Sequence, residues 1–434
     1  MEVMSSELEL FSSRHVQNQT DHSSYKMYTP LSAITKNAPI QFVVAPIPNH
    51  YLILGQSYLY LRTKIVNATD GAPAANAIGP INLPIHSAFS DVEIELGGKV
   101  ISEPSGMYGY RAYLETLLTY LPDVQDTQLQ MGLWKKDTAG QMDVFNCAAG
   151  GANTGLVSRS AKYNLGVEVE LMGRLHCDIF HQSQAILGNV PLKIKLTPSK
   201  DSFMIMSTAD LSGGAAQVAY KFVIMEANMY ILTQTVTPSL SLAHEKILQT
   251  MNARYPIRRV KVKHISIPNG STSILHDNIF LGQIPERIVL GLVSDAAMSG
   301  GYQTNPYNFQ NFGVNYLALS VNNEMVPKRP FQPDFTNNKY IRDYSSLFEG
   351  MGLIFSDRTV NITRDEYPSG YTLWVFDLTP DKCSTSSVSP QQTGAVRLEL
   401  KFATATNATL NVILYAEFES EIEIDKYRNV IAPF

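Results

Sequence analysis

Nine histidines, three cysteines and two tryptophans are the residues from which this 434-residue chain could build chemistry. The histidines are His15, His22, His50, His86, His176, His181, His244, His264 and His276, and only His176 and His181 lie close together, with Cys177 between them. A zinc-type site needs a third ligand and a shared face, and on a strand two positions five apart point to opposite faces. The pair is therefore not expected to hold a metal. Cys147, Cys177 and Cys383 are too few and too scattered for a disulfide framework or a Cys-rich zinc site, and they suggest a reducing compartment. No catalytic, cofactor-binding or metal residue is assigned on these grounds.

The signatures of other chemistries are missing. There is no His-x-His pair of the cupin kind, no Gly-x-Ser-x-Gly, no phosphate-loop Gly-x-x-x-x-Gly-Lys-Ser/Thr and no His-Glu-x-x-His. Gly97-Gly98 and Gly213-Gly214 read as hairpin or loop glycines, since neither opens a helix that could cradle phosphate. Trp374 lies inside the apolar run Leu373 to Phe376, which favours core packing over a carbohydrate-stacking platform, and Trp134 is the only other tryptophan. The loop Gly301 to Phe309, with Tyr302 and Tyr307, could touch a ligand or a neighbouring subunit; subunit contact is favoured, because Tyr and Phe are enriched at interface cores.

Composition sets the class. Hydrophobic residues make up 44% and charged residues 17%, and 22 Tyr, 18 Phe, 27 Gly and 23 Pro favour strands joined by turns. A formal charge of −5 with no dense basic run argues against direct, sequence-specific nucleic-acid binding. No stretch reaches the ~20 apolar residues of a membrane span, and the N-terminus lacks a cationic region followed by an apolar one, so the chain is expected to be soluble and not secreted. The sequons at Asn67 and Asn361 are then chance matches, since glycosylation needs the secretory lumen.

The elements follow from periodicity. Residues 1–25 are polar without hydrophobic period and read as a flexible arm. Strands are expected at Tyr51–Leu54, Ser57–Val66, Val92–Leu96, Val167–Met172, Leu192–Leu196 and Tyr220 through Leu232, and in the second half at Val260–Ile267, Arg287–Val293, Tyr316–Val321, Tyr371–Phe376, Val396–Phe402 and Leu410–Phe418. One helix is expected over Tyr110–Tyr120, with Tyr110, Tyr113, Leu114, Leu117 and Leu118 on one face, and a shorter one over Leu242–Gln249. Residues 138–160 read as loop. The alternating tail Glu417–Asp425 reads as a strand with one solvated acidic face, an exposed edge that discourages stray sheet pairing. Arms at 1–25, a first domain at 26–240 and a second at 241–434 summarise the organisation.

The two halves repeat units in the same order. Phe89–Val100 is matched by Phe312–Val326, with Gly97-Gly98 and Asn322-Asn323 as the turns and with Asn82-Leu-Pro84 and Asn305-Pro306 ahead of each. A short aromatic helix follows in both, from Tyr110 and from Tyr340. Pro191–Thr197 then matches Ala395–Lys401, and Lys221–Ala227 matches Asn411–Glu417. A duplication of about eight short strands with an inserted helix gives an all-β fold: two tandem jelly-roll β-sandwiches, a double jelly roll with short inserted helices.

At Phe89–Lys99, Tyr110–Leu118, Lys136–Gly140, Gly173–Phe180, Asp277–Gln283, Asn305–Phe309, Gly370–Asp381 and Ile422–Asp425 the chain resembles the double jelly-roll major capsid proteins of Polinton/Maverick-type elements and adintoviruses, related to those of virophages and more distantly to adenovirus hexon. The resemblance runs from about Tyr28 to Asn429. It implies a structural protein and not an enzyme, a homotrimer whose six sandwiches make a pseudo-hexagonal tile of an icosahedral shell, penton or minor capsid proteins as partners, no cofactor, and a place in the virion after assembly inside the host cell. The chain is short for this lineage, which implies small outward-facing loops. A bicupin-like metal enzyme and a carbohydrate-binding sandwich are the readings from other classes.

Overall fold

The alternating segments become strands because each buries one face. Ile40, Phe42 and Val44 point inward, as do Val92, Ile94 and Leu96, and Leu192, Ile194 and Leu196, with half-exposed or exposed residues between them. A computed structural model describes residues 17–102, 104–207, 220–380, 382 and 390–432. Its strands are β1 (Thr20–Tyr28), β2 (Ile40–Val44), β3 (His50–Asn67), β4 (Ile78–Pro80), β5 (Phe89–Leu96), β6 (Lys99–Val100), β7 (Val169–Gly173), β8 (Leu192–Pro198), β9 (Ile205–Ser207), β10 (Tyr220–Val236), β11 (Ala253–Ile267), β12 (Ser273–Gln283), β13 (Arg287–Ser294), β14 (Phe309–Gln310), β15 (Val314–Val321), β16 (Glu324–Phe331), β17 (Ser369–Gly370), β18 (Leu373–Asp377), β19 (Thr393–Phe402), β20 (Leu410–Ile424) and β21 (Val430–Ile431). The helices are α1 (Pro84–Ser87), α2 (Tyr108–Thr119), α3 (Pro122–Asp126), α4 (Thr154–Tyr163), α5 (Asp201–Met204), α6 (Pro238–Leu248), α7 (Asp295–Ser299) and α8 (Ile341–Gly350).

Four principal antiparallel sheets form two pairs. The first pair has the orders β1-β10-β3-β7 and β2-β8-β5-β6; the second has β11-β20-β13-β18 and β12-β19-β15-β16. The duplicated units occupy equal places in these orders: β5 and β15, β8 and β19, and β10 and β20. Even the turns agree. Gly97 and Gly98 have φ of 59° and 84°, Asn322 and Asn323 have 49° and 68°, and both turns close a two-residue hairpin that needs positive φ at each central position. Pro327 and Pro330 are confined to β16, an end strand, where a missing N–H costs no ladder bond.

Three cores result. One fills the first sandwich around Phe42, Leu61, Ile94, Ile194 and Met229; another fills the second around Leu290, Leu317, Trp374, Leu398 and Leu414. The third lies between them, where α2 contributes Tyr110, Tyr113, Leu114 and Leu117 against Val289, Tyr307, Phe309, Tyr371 and Ile413. Every residue of α2 from Tyr108 to Leu118 is buried, the condition of a helix covered on all sides. Each fully buried Leu there contributes roughly 1.5–3 kcal/mol.

Several expectations are corrected. Residues 20–25, read as part of the arm, belong to β1: its side chains are mostly exposed, so no hydrophobic period marks it, and backbone pairing with β10 from Thr20 to Tyr28 holds it. Residues 1–16 of that arm lie outside the described residues. The loop reading of 138–160 misses α4, whose start is set by the Asn153 side chain accepting the Leu156 N–H. The acidic tail is not an edge: β20 pairs with β11 along its whole length and is flanked on the other side by β13 and β21.

Candidate functional site

The most chemically concentrated region is the seam between the sandwiches. From α2, Arg111 donates through Nε to Glu115 Oε1 (2.9 Å) and through Nη2 to Asp178 Oδ1 (2.6 Å). Asp178 starts a 3-10 turn, Asp178–Phe180, and its carboxylate also accepts the Val260 N–H of β11 at 3.2 Å, joining the halves. From β20, the Tyr415 hydroxyl lies 3.3 Å from Glu115 Oε1 and 3.1 Å from Glu417 Oε1, and Glu417 in turn accepts from Arg287 Nη1 of β13 at 2.8 Å. A string of charges thus runs from β13 through β20 and α2 to β11.

Histidines close the other side of Glu115. His176 Nδ1 is 2.6 Å and His181 Nε2 is 3.6 Å from Glu115 Oε2, and the His86 ring of α1 stands edge-on to His176 with centroids 4.7 Å apart. The Tyr108 hydroxyl accepts the His176 N–H at 3.1 Å and lies 3.0 Å from His86 Nδ1. Burial alone would push the Glu115 carboxyl up; Arg111 and the hydrogen bond from His176 outweigh it and hold it well below the usual carboxylate range. Burial, with His176 beside it, holds His86 well below the usual imidazole range. Such a buried, fully partnered network fixes geometry more than it adds stability, because the charges it satisfies were desolvated to form it.

The structure overturns the geometric reason for separating His176 from His181. Neither lies on a strand: the segment turns at Asp178–Phe180, and the rings meet at 5.6 Å between centroids. A period-two rule does not apply to such a segment, and Glu115, carried by α2, was not assigned any role in the sequence. His244 meets the Tyr51 hydroxyl at 2.8 Å, while His22, His50, His264 and His276 are spread over separate strands, and His15 lies outside the described residues. Burial pushes the Cys177 thiol up to about 12 and Cys147 up to about 11, so neither is a thiolate at neutral pH. Cys383 and Gly213-Gly214 lie outside the described residues.

Trp374 is fully buried and donates to Asp343 Oδ1 at 2.7 Å; Trp134 is also buried, so neither offers a stacking platform. The subunit-contact reading of the Tyr-rich loop is corrected as well. Tyr302, Tyr307 and Phe309 are buried within the chain, and Tyr307 stacks on Tyr113 of α2, so this loop closes the seam and presents none of these rings outward.

Beside the charged string a cleft of about 490 Å³ opens, lined by Asp91, Ser102, Ser105, Tyr108 and Arg111 of the first half and by Arg259 to His264 of β11, the end strand of its sheet.

No protein-family model matches the chain. An uncharacterized protein of Caenorhabditis elegans is 24% identical over 433 residues, which cover 96% of this chain and 98% of that protein. Among solved structures, one from the Sputnik virophage superposes with a TM-score of 0.68 at 14% identity, covering 100% of this chain and 93% of that one. The PBCV-1 virus capsid gives 0.62 at 11% identity, covering 98% and 99%, and the mavirus major capsid protein gives 0.56 at 14%, covering 99% and 93%. These likenesses extend over the full chain and show the fold: all-β, a double jelly roll shared with capsid proteins.

Proposed function

We propose that this protein is a major capsid protein, the subunit of an icosahedral DNA-virus-like shell of the Polinton/Maverick and adintovirus type, and that it is not an enzyme. The observation that carries the reading is the pair of sandwiches in one chain with matching strand orders, β2-β8-β5-β6 beside β12-β19-β15-β16, locked by the buried helix α2. Two similar rolls held rigidly side by side are what a threefold assembly needs to present six near-equivalent sandwiches, and closed cyclic symmetry is the usual way identical chains stop growing. The likeness to virophage, PBCV-1 and mavirus capsid structures over the whole chain supports the same reading.

On this reading residues 26–240, extended back to β1, and residues 241–434 are the two rolls, with α6 as their joint. The partners are two further copies of the chain, then neighbouring trimers and penton or minor capsid proteins, and the protein resides in the virion after assembly inside the host cell. The subunit needs no cofactor for this role. Light scattering on the chromatographed protein tests it: the expected mass is three times 48.1 kDa, and a stable monomer at all concentrations would overturn the trimeric subunit.

A further inference from the structure

We propose that Glu115, His176 and His181 form a binding site for a divalent transition-metal ion of the zinc class. One ligand atom from each lies within 4.8 Å of the other two, and Glu115 Oε2 is 2.6 Å from His176 Nδ1 and 3.6 Å from His181 Nε2. Two imidazoles and a carboxylate are a zinc donor set that leaves a fourth position open. Donors about 3.3 Å apart suit a tetrahedral ion with bonds near 2.0–2.1 Å, so on binding the 2.6 Å contact of Glu115 with His176 opens and the 3.6 Å contact with His181 closes.

Supporting contacts already orient the ligands. Arg111 Nε and the Tyr415 hydroxyl engage Glu115 Oε1, which leaves Oε2 turned toward both imidazoles. The backbone of His176 is fixed by Tyr108, and the His86 ring walls the site from behind. Glu115 and Asp178 both pair with the guanidinium of Arg111, which holds the Glu115 carboxylate in place from the side away from the imidazoles. The side chain of His181 keeps 31% of its exposure, which gives an ion a way in from solvent. Arg174 Nη2 lies 3.2 Å from His181 Nδ1; metal on Nε2 puts a proton on Nδ1, and Arg174 then turns to the Tyr120 hydroxyl that it already meets at 3.0 Å. The ion would tie α2 to the 174–181 segment next to the contact with β20, a role independent of the capsid reading.

The test uses the full chain, stripped with chelator and titrated with zinc alone by calorimetry, with cobalt as a spectroscopic stand-in. One zinc per chain is expected, unchanged in the exposed-site control His264→Ala and bound about 100-fold more weakly in His181→Ala. Cobalt is expected to give the intense visible bands of four-coordinate nitrogen and oxygen ligation. Absence of stoichiometric zinc in the wild-type chain, or equal binding by His181→Ala, overturns the site. Should His181→Ala fold poorly, the wild-type cobalt spectrum decides: weak six-coordinate aquo bands alone would mean a hydrogen-bonded cluster without metal.

Discussion

Tyr113 and Tyr307, 194 positions apart in sequence, stack face to face with ring centroids 4.2 Å apart and planes 6° from parallel. Tyr113 sits on α2 and Tyr307 in the loop before β14, so the stack is a direct bond between the two sandwiches, and the Tyr307 hydroxyl continues it to Ser87 Oγ at 2.6 Å. Replacing Tyr307 by Ala removes a fully buried ring and is expected to cost about 3–5 kcal/mol, while Tyr307→Phe loses only the Ser87 bond at about 1 kcal/mol. Urea unfolding of both variants measures the pair; equal, small losses would mean that the seam is not a shared core.

Gly109 lies against the same hydroxyl. A Cβ built there would be 2.9 Å from Tyr307 Oη, a distance real side chains avoid. Gly109→Ala is therefore expected to destabilise the wild-type chain by about 1–3 kcal/mol and to be milder in a Tyr307→Phe background, where the clashing atom is gone. Additive losses would contradict the contact.

Arg159 and Asp137 are both fully buried and bonded at 2.7 Å. Arg159 also donates to the backbone oxygens of Pro80 (2.9 Å) and Lys135, and Asp137 reaches Asn305 of the second half at 3.3 Å. Arg159→Met would leave the Asp137 carboxylate buried without its cation, at a cost of about 3–5 kcal/mol. A fall in unfolding temperature of under a degree would contradict this. Lys cannot supply the three-way donor fork, so Arg159→Lys is expected to fall between the two.

Asp343 gives a pH dependence. Burial pushes its carboxyl from the ordinary 3.8 up to about 6, although Trp374 Nε1 donates to it. A raised carboxyl contributes stability when protonated, so its contribution is full below pH 4 and is lost as pH rises through 6. Asp343→Asn keeps an acceptor for Trp374 without the charge. It is expected to match the wild type near pH 4 and to exceed it at pH 7.5 by up to about 3 kcal/mol. A gap that does not change with pH would contradict the assignment.

The strands, the duplication and the helix over 110–120 were legible because each writes a local period: Val92-Glu-Ile-Glu-Leu96 alternates, and α2 places apolar residues three and four apart. β1 was hidden because its backbone, not its side chains, holds it. α4 carried only a capping Asn153. The cluster around Glu115 was hidden for a different reason. Its members come from α1, α2, a 3-10 turn and β20, and no spacing within one segment records that Tyr415 and Glu115 meet across 300 residues. The outward reading of Tyr302 to Phe309 failed likewise, since aromatic rings suit an internal seam as well as an external one.

Electron microscopy of the purified oligomer in negative stain tests the central claim most directly. The account predicts particles built from three chains with a six-cornered outline, each chain supplying two of the six corners. A compact monomer or dimer with no hexagonal outline, at concentrations where the protein is folded, would contradict it.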